Sequence, residues 1–121
     1  MQAVRRGYGS AMAVWDPQTA FETLAGEFLA EPDVEAGTGF GGSPGIRVNG
    51  RIFAMLVRRR LVVKLPAARC QELSEAGRAA PLTMGKRSMR EWIEMLDDDP
   101  QAWRQVAADA YAYVGGASGA A

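Results

Sequence analysis

Residues 50–66 read GRIFAMLVRRRLVVKLP. Two apolar runs, Arg51 to Val57 and Leu61 to Leu65, flank Arg58, Arg59 and Arg60. Each run has strand length, is β-branched or otherwise apolar, and is bounded by turn residues, which is the pattern of a strand. The arginine triplet between them reads as a hairpin turn. Just upstream, Ile46-Arg47-Val48 leads into Asn49-Gly50. Asn-Gly between apolar segments signals a second tight hairpin, because both central positions of that turn need positive φ. A chain that reverses this often builds a mainly antiparallel sheet.

Helix signals surround the hairpins. Asp16 suits an N-cap and Pro17 the first helical position. Phe21, Leu24, Ala25, Phe28 and Leu29 then form one apolar stripe at three- and four-residue spacing, and Pro32 ends the helix near Ala30. Val34 to Phe40 reads as a short strand entering a glycine-rich loop. Pro66 opens a second helix carrying Ala67, Ala68, Cys70 and Leu73, with Gly77 as its C-cap. Residues 78–88 read as loop, with room for a short strand around Leu82, and Met89 to Leu96 as a strand. Asp97-Asp98-Asp99-Pro100 starts a last helix, with carboxylates where the helix dipole favours negative charge. Trp103, Val106, Ala107, Ala110 and Val114 form its buried stripe, flanked by Tyr111 and Tyr113. The fold class expected is α+β: a two-layer sandwich, a mainly antiparallel sheet with helices on one face, in the order α-β-β-β-α-β-β-α.

The chain has 121 residues, 48% of them hydrophobic, which suits a single core. Residues 1–15 read as a flexible extension, 16–115 as one α+β domain and 116–121 as a disordered tail. Fourteen basic and fourteen acidic residues cancel, so no chain-wide pull on nucleic acid or membrane is expected. There is no histidine, which removes the usual general base near neutral pH and the commonest metal ligand. The lone cysteine, Cys70, forms no internal disulfide and fits a reducing cytoplasm. No run approaches the roughly 20 apolar residues of a membrane span, and no apolar segment of a secretory signal follows Arg5-Arg6. The expectation is a cytoplasmic, non-enzymatic protein with no membrane association and with no catalytic, cofactor-binding or metal-binding residue.

Charge is segregated along the chain. Residues 16–36 carry Asp16, Glu22, Glu27, Glu31, Asp33 and Glu35 without a cation. Residues 37–71 carry Arg47, Arg51, Arg58, Arg59, Arg60, Lys64 and Arg69 without a carboxylate, and Lys86, Arg87 and Arg90 form a second basic group. One reading is an anion- or nucleic-acid-binding strand face. The other, which we favour, is a set of solvated turn and edge charges, because the domain as a whole is not basic and no aromatic pair interleaves with the arginines.

Residues 52–57 are apolar on both alternating faces, whereas a sheet covered on one side alternates apolar and polar. One set therefore faces away from the helices and needs a cover: the N-terminal extension, the aromatics of the later strand, or a second copy of the chain. The expectation is a homodimer. The candidate interaction residues are Phe53, Met55 and Val57 on the strand, with Arg58, Arg59, Arg60, Lys86, Arg87 and Arg90 around it.

Other motifs carry less. Gly37-Thr38-Gly39-Phe40-Gly41-Gly42 matches GxGxxG formally, but dinucleotide binding needs a helix directly after it, and here a strand follows. Cys70 has no histidine to activate it and reads as a small buried side chain. Asp97, Asp98 and Asp99 cap a helix rather than converge on a metal. Trp15, Trp92 and Trp103 read as core or rim packing. Lys86 to Trp92 couples a basic loop to a strand bearing a buried aromatic.

Phe40-Gly41-Gly42, Val48-Asn49-Gly50-Arg51-Ile52-Phe53-Ala54, Leu61-Val62-Val63-Lys64-Leu65 and Ser88-Met89-Arg90-Glu91-Trp92 occur in that order. They resemble the N-terminal domain of the TfoX/Sxy competence-regulator family over residues 18–115; the related MmcQ/YjbR family looks similar and is the second candidate. The resemblance implies a bacterial α+β domain without catalytic residues and a role in transcriptional regulation through protein or DNA contacts. Arg59 stands where that family has glycine, and Arg90 where it has lysine. The alternative reading is a small-molecule or anion-binding protein with a pocket between the glycine-rich loop and Trp92.

Overall fold

The computed structural model describes residues 15–38, 44–84 and 87–117. The elements are α1 (Pro17–Phe28), β1 (Val34–Ala36), β2 (Gly45–Val48), β3 (Arg51–Val57), β4 (Arg60–Lys64), α2 (Ala67–Glu75), β5 (Ala79–Met84), β6 (Arg87–Met95), α3 (Pro100–Tyr111) and a π-helical turn (Ala112–Ala117). Four strands precede α2, one more than the expected order counts: Val34–Ala36 and the Gly45–Val48 arm of the Asn49-Gly50 hairpin both form beside the two longer runs. The six strands lie in the order β1-β2-β3-β4-β6-β5 with every ladder antiparallel.

The helix starts follow from their caps. The Asp16 carboxylate accepts from the Thr19 hydroxyl at 2.6 Å and the Gln18 N–H at 3.2 Å. These bonds, the hydroxyl first, hold its pKa below the usual carboxylate value. Asp99 caps α3 in the same way, accepting from Gln101 N–H at 3.0 Å. Gly77 follows α2 at φ +76, a left-handed position that costs glycine little. Leu29, expected in the apolar stripe of α1, is instead the C-cap and is 41% exposed.

Both hairpins form. Asn49 and Gly50 have φ of 52° and 81°, and Arg58 and Arg59 have 49° and 68°. The two turns share the same pair of positive φ angles. Arg60 is the first residue of β4 rather than part of the turn.

Residues 78–88, expected as loop, are mostly strand: β5 and the start of β6 pair from Ala79↔Met95 to Met84↔Arg87. Ala and Pro are poor strand formers, so local propensity hides β5. Its place on the sheet edge tolerates Pro81, which has no N–H to donate.

Directly paired residues share a face of the sheet. Ala54, Val63 and Ile93 lie side by side and belong to the main core with Phe21, Leu24, Trp103, Val106 and Ala110 of the helices. All three helices cover this face. Arg104 of α3 binds Glu27 of α1 through two parallel bonds of 2.9 and 3.0 Å, and Arg69 of α2 reaches Asp109 of α3 at 3.7 Å. Met55, Val62 and Glu94 are side by side on the opposite face.

A bulge modifies β3. Ile46 pairs with Ala54, yet Arg47 pairs with Ile52, so Phe53 is an extra residue. It turns into the helix layer and packs against Phe28 at 5.4 Å and Tyr111 at 5.5 Å between ring centroids. At the C-terminal end, α3 gives way to the π turn rather than continuing as α-helix to Val114. The expected extension, apart from Trp15, and residues 118–121 of the expected tail lie outside the described residues; Gly116 and Ala117 belong to the π turn.

Candidate functional site

The structure separates the candidate interaction residues. Phe53 is fully buried beneath α1 and α3, so the bulge removes it from the outer face. Met55 keeps an outward position beside Val62, and Val57, two residues on, shares that face; both are half-buried. Arg58 and Arg59 form the exposed turn at the end of this strip. Arg60 is half-buried and donates from its guanidinium to the Met95 carbonyl at 3.3 Å, a structural use. Arg90 is exposed on β6, Arg87 is placed as the first residue of that strand, and Lys86 lies outside the described residues.

Five of the described cations are paired locally, Arg69 and Arg104 across the helices as above. Arg47 pairs with Glu35 at 3.5 Å, Arg78 with Asp97 at 3.1 Å and Lys64 with Glu91 at 4.0 Å. Arg51, Arg58 and Arg90 have no ion pair among the described residues. Within the basic stretch 37–71, pairing offsets Arg47, Lys64 and Arg69 and leaves the turn arginines Arg58 and Arg59 exposed to solvent.

Where β3 and β4 part, the sheet opens. Their pairing ends at Ala54↔Val63. Beyond that point Ile52 pairs with Arg47 of β2 and Lys64 with Trp92 of β6. A cavity of about 530 Å³ lies at this end, lined by Arg51, Ile52, Lys64, Glu91 and Trp92, with Thr38 and the π-turn residues Tyr113 and Val114 completing its wall. The Lys64 ammonium sits over the Trp92 ring, 5.8 Å from its centroid. Partial burial, then the hydrogen bond and charge of Glu91, push the Tyr113 phenol above its ordinary pKa.

The sequence named Trp92 and the glycine-rich loop as walls of a pocket, and Thr38 represents that loop here. It did not name Arg51, Lys64 or Tyr113. They come from three separate elements, and their only local signal is the end of the apolar alternation at Lys64. The glycine-rich loop leads into β2 and not into a helix. Gly37, at φ +102, donates its N–H to the Gly45 carbonyl at 2.7 Å, one step beyond the Ala36↔Ile46 pair of the β1–β2 ladder.

Cys70 is buried and its thiol donates to the Leu65 carbonyl at 3.5 Å. Burial is the main cause that pushes this thiol above its ordinary pKa, the opposite of what a nucleophile needs. Asp97, Asp98 and Asp99 diverge: Asp97 holds Arg78, and Asp99 caps α3. Among the described residues no cluster of His, Cys, Asp and Glu has the geometry of a metal site. No described helix is long and apolar enough to cross a membrane.

A six-stranded antiparallel sheet carrying all its helices on one side defines a two-layer α+β domain. The model of the TfoX N-terminal domain matches residues 28–114, and the chain belongs to that family. No curated protein and no solved structure matches it significantly.

Proposed function

We propose that this chain is a non-enzymatic interaction domain that assists transcriptional regulation through protein or DNA contacts and pairs with a second copy of itself across the outer sheet face. One observation carries the reading. Two consecutive arginines, Arg58 and Arg59, occupy left-handed turn positions with φ of 49° and 68°. Non-glycine residues there carry a cost of roughly 1–2 kcal/mol each. The neighbouring turn meets the same geometry with Asn49-Gly50 at little cost. Strain kept at an exposed turn, on side chains that reach solvent at the end of the Met55 and Val57 strip, supports a contact role. The absence of histidine and the buried thiol of Cys70 support the non-enzymatic part.

Two measurements test it. Light scattering coupled to gel filtration reports a dimer, and Met55→Glu converts it to monomer. Fluorescence anisotropy on duplex DNA shows affinity that falls steeply with salt, and Arg58→Ala/Arg59→Ala weakens it alike for all sequences. A monomer at all concentrations, together with DNA binding that the double substitution leaves unchanged, overturns the reading.

A further inference from the structure

The cavity between β3 and β4 is a second feature, at the opposite end of β3 from the Arg58–Arg59 turn. The seven-residue strand β3 spans from one to the other, roughly 20 Å. Its volume of about 530 Å³ lies in the range of small-molecule sites. The fold builds it by two irregularities. The bulge takes Phe53 into the helix layer, and the β3–β4 ladder stops at Ala54↔Val63 while both strands continue. The π turn then closes the gap with Tyr113 and Val114. π-helical turns are rare and occur often at functional sites.

We propose that this cleft binds a small organic monoanion with a flat apolar body, an aromatic carboxylate, held by Arg51 and Lys64 at its carboxylate and by Trp92 and Ile52 at its ring. Three observations choose this chemistry. First, the lining carries two cations and one carboxylate, Arg51, Lys64 and Glu91, a net single positive charge. That balances a monoanion, whereas a phosphate dianion would face Glu91 with its second charge uncompensated.

Second, the cations are available. Arg51 is exposed and has no ion pair among the described residues. Lys64 meets Glu91 only at 4.0 Å, with the two side chains 37% and 43% exposed, a loose pair that a carboxylate can replace.

Third, the cation and the aromatic surface are adjacent. The Lys64 ammonium over the Trp92 ring places positive charge beside a flat apolar surface, so a ligand with a carboxylate next to a ring meets both at once.

Isothermal titration calorimetry of the full chain with benzoate, salicylate and indole-3-acetate tests the proposal, with indole-3-acetamide as the neutral match and inorganic phosphate as the competing anion. At least one carboxylate binds, and the amide and phosphate bind at least about tenfold more weakly. Arg51→Ala, at an exposed side chain, and Lys64→Gln, at a half-buried one, each weaken the carboxylate about tenfold while far-UV circular dichroism stays unchanged. Amide shift mapping by NMR places the perturbed residues at 50–52, 64, 91–92 and 113–114. Binding by none of the three carboxylates overturns the proposal. So does equal affinity for the amide or phosphate, unaffected binding by both variants, or perturbation centred elsewhere.

Discussion

Tyr111 donates its hydroxyl to the Asp33 carboxylate at 3.0 Å across 78 residues of sequence, fastening the last turn of α3 to the residue before β1. The same ring packs on Phe28 at 5.6 Å and on Phe53 at 5.5 Å. One side chain therefore joins the C-terminal helix, the first helix and the bulged strand. Tyr111→Phe keeps the ring contacts and removes the bond to a charged acceptor, at an expected cost of about 1–2 kcal/mol. Urea denaturation at fixed pH measures it, and an unchanged midpoint would show that water replaces the bond fully.

Alkaline pH weakens the fold through the same group. Burial first, and then Asp33, raises the Tyr111 pKa above its ordinary 10.0, and Tyr113 is raised as well. A raised folded-state pKa means that the neutral phenol is the stabilised form. The contribution is complete below the unfolded pKa and is lost as pH rises through the folded one. Stability should fall at pH values above about 10, and Tyr111→Phe should reduce the slope. Thermal melts across that window with both proteins decide it.

Gly115 lets the π turn lie directly on β2. A Cβ at this position would stand 2.6 Å from Cγ2 of Val48, a fully buried side chain with little room to yield. Gly115→Ala should destabilise by about 1–3 kcal/mol, as overpacking does. Gly116, where a Cβ meets nothing within 4 Å, is the internal comparison, and Gly116→Ala should cost less. Equal effects would mean that helix propensity, rather than packing, governs both positions.

The strained turn makes an opposite prediction. Arg58→Asn/Arg59→Gly installs the residues that the first hairpin already uses at the same φ signs. Relief of left-handed strain should stabilise the protein by about 1 kcal/mol. If the turn serves a contact, the more stable variant also loses DNA or partner binding. A gain in stability with binding intact would separate the strain from function.

Cys70 should resist thiol reagents. Its sulfur is buried, donates to Leu65, and has a pKa raised chiefly by burial, so little thiolate is present near neutral pH. Reaction with a chromogenic disulfide should be slow in the native protein and fast and stoichiometric after unfolding. Rapid native reaction would show that α2 opens locally.

Local chemistry made much of this fold legible. Asp16-Pro17 and Asp99-Pro100 mark helix starts because a carboxylate can reach the first free N–H groups, and that signal spans three residues. Asn49-Gly50 marks a hairpin because few dipeptides accept two positive φ angles. The pocket was half legible: Trp92 and the loop at Thr38 stood out by residue type. Arg51, Lys64 and Tyr113 did not, since nothing local distinguishes a cation at a cleft from one at a rim.

The sequence by itself determined where the chain turns, which segments are apolar, and that the sheet is antiparallel with helices on one side, because caps, turns and periodicity act over a few residues. Tertiary structure alone decided that β5 is a strand, that Phe53 faces inward, and that β3 and β4 part to leave a cavity. Pairing with β6 supplies the hydrogen bonds that Ala79-Ala80-Pro81 would not claim unaided. A one-residue bulge reverses the face on which a side chain lies, and its position is fixed by how β2, β3 and the helix layer pack together.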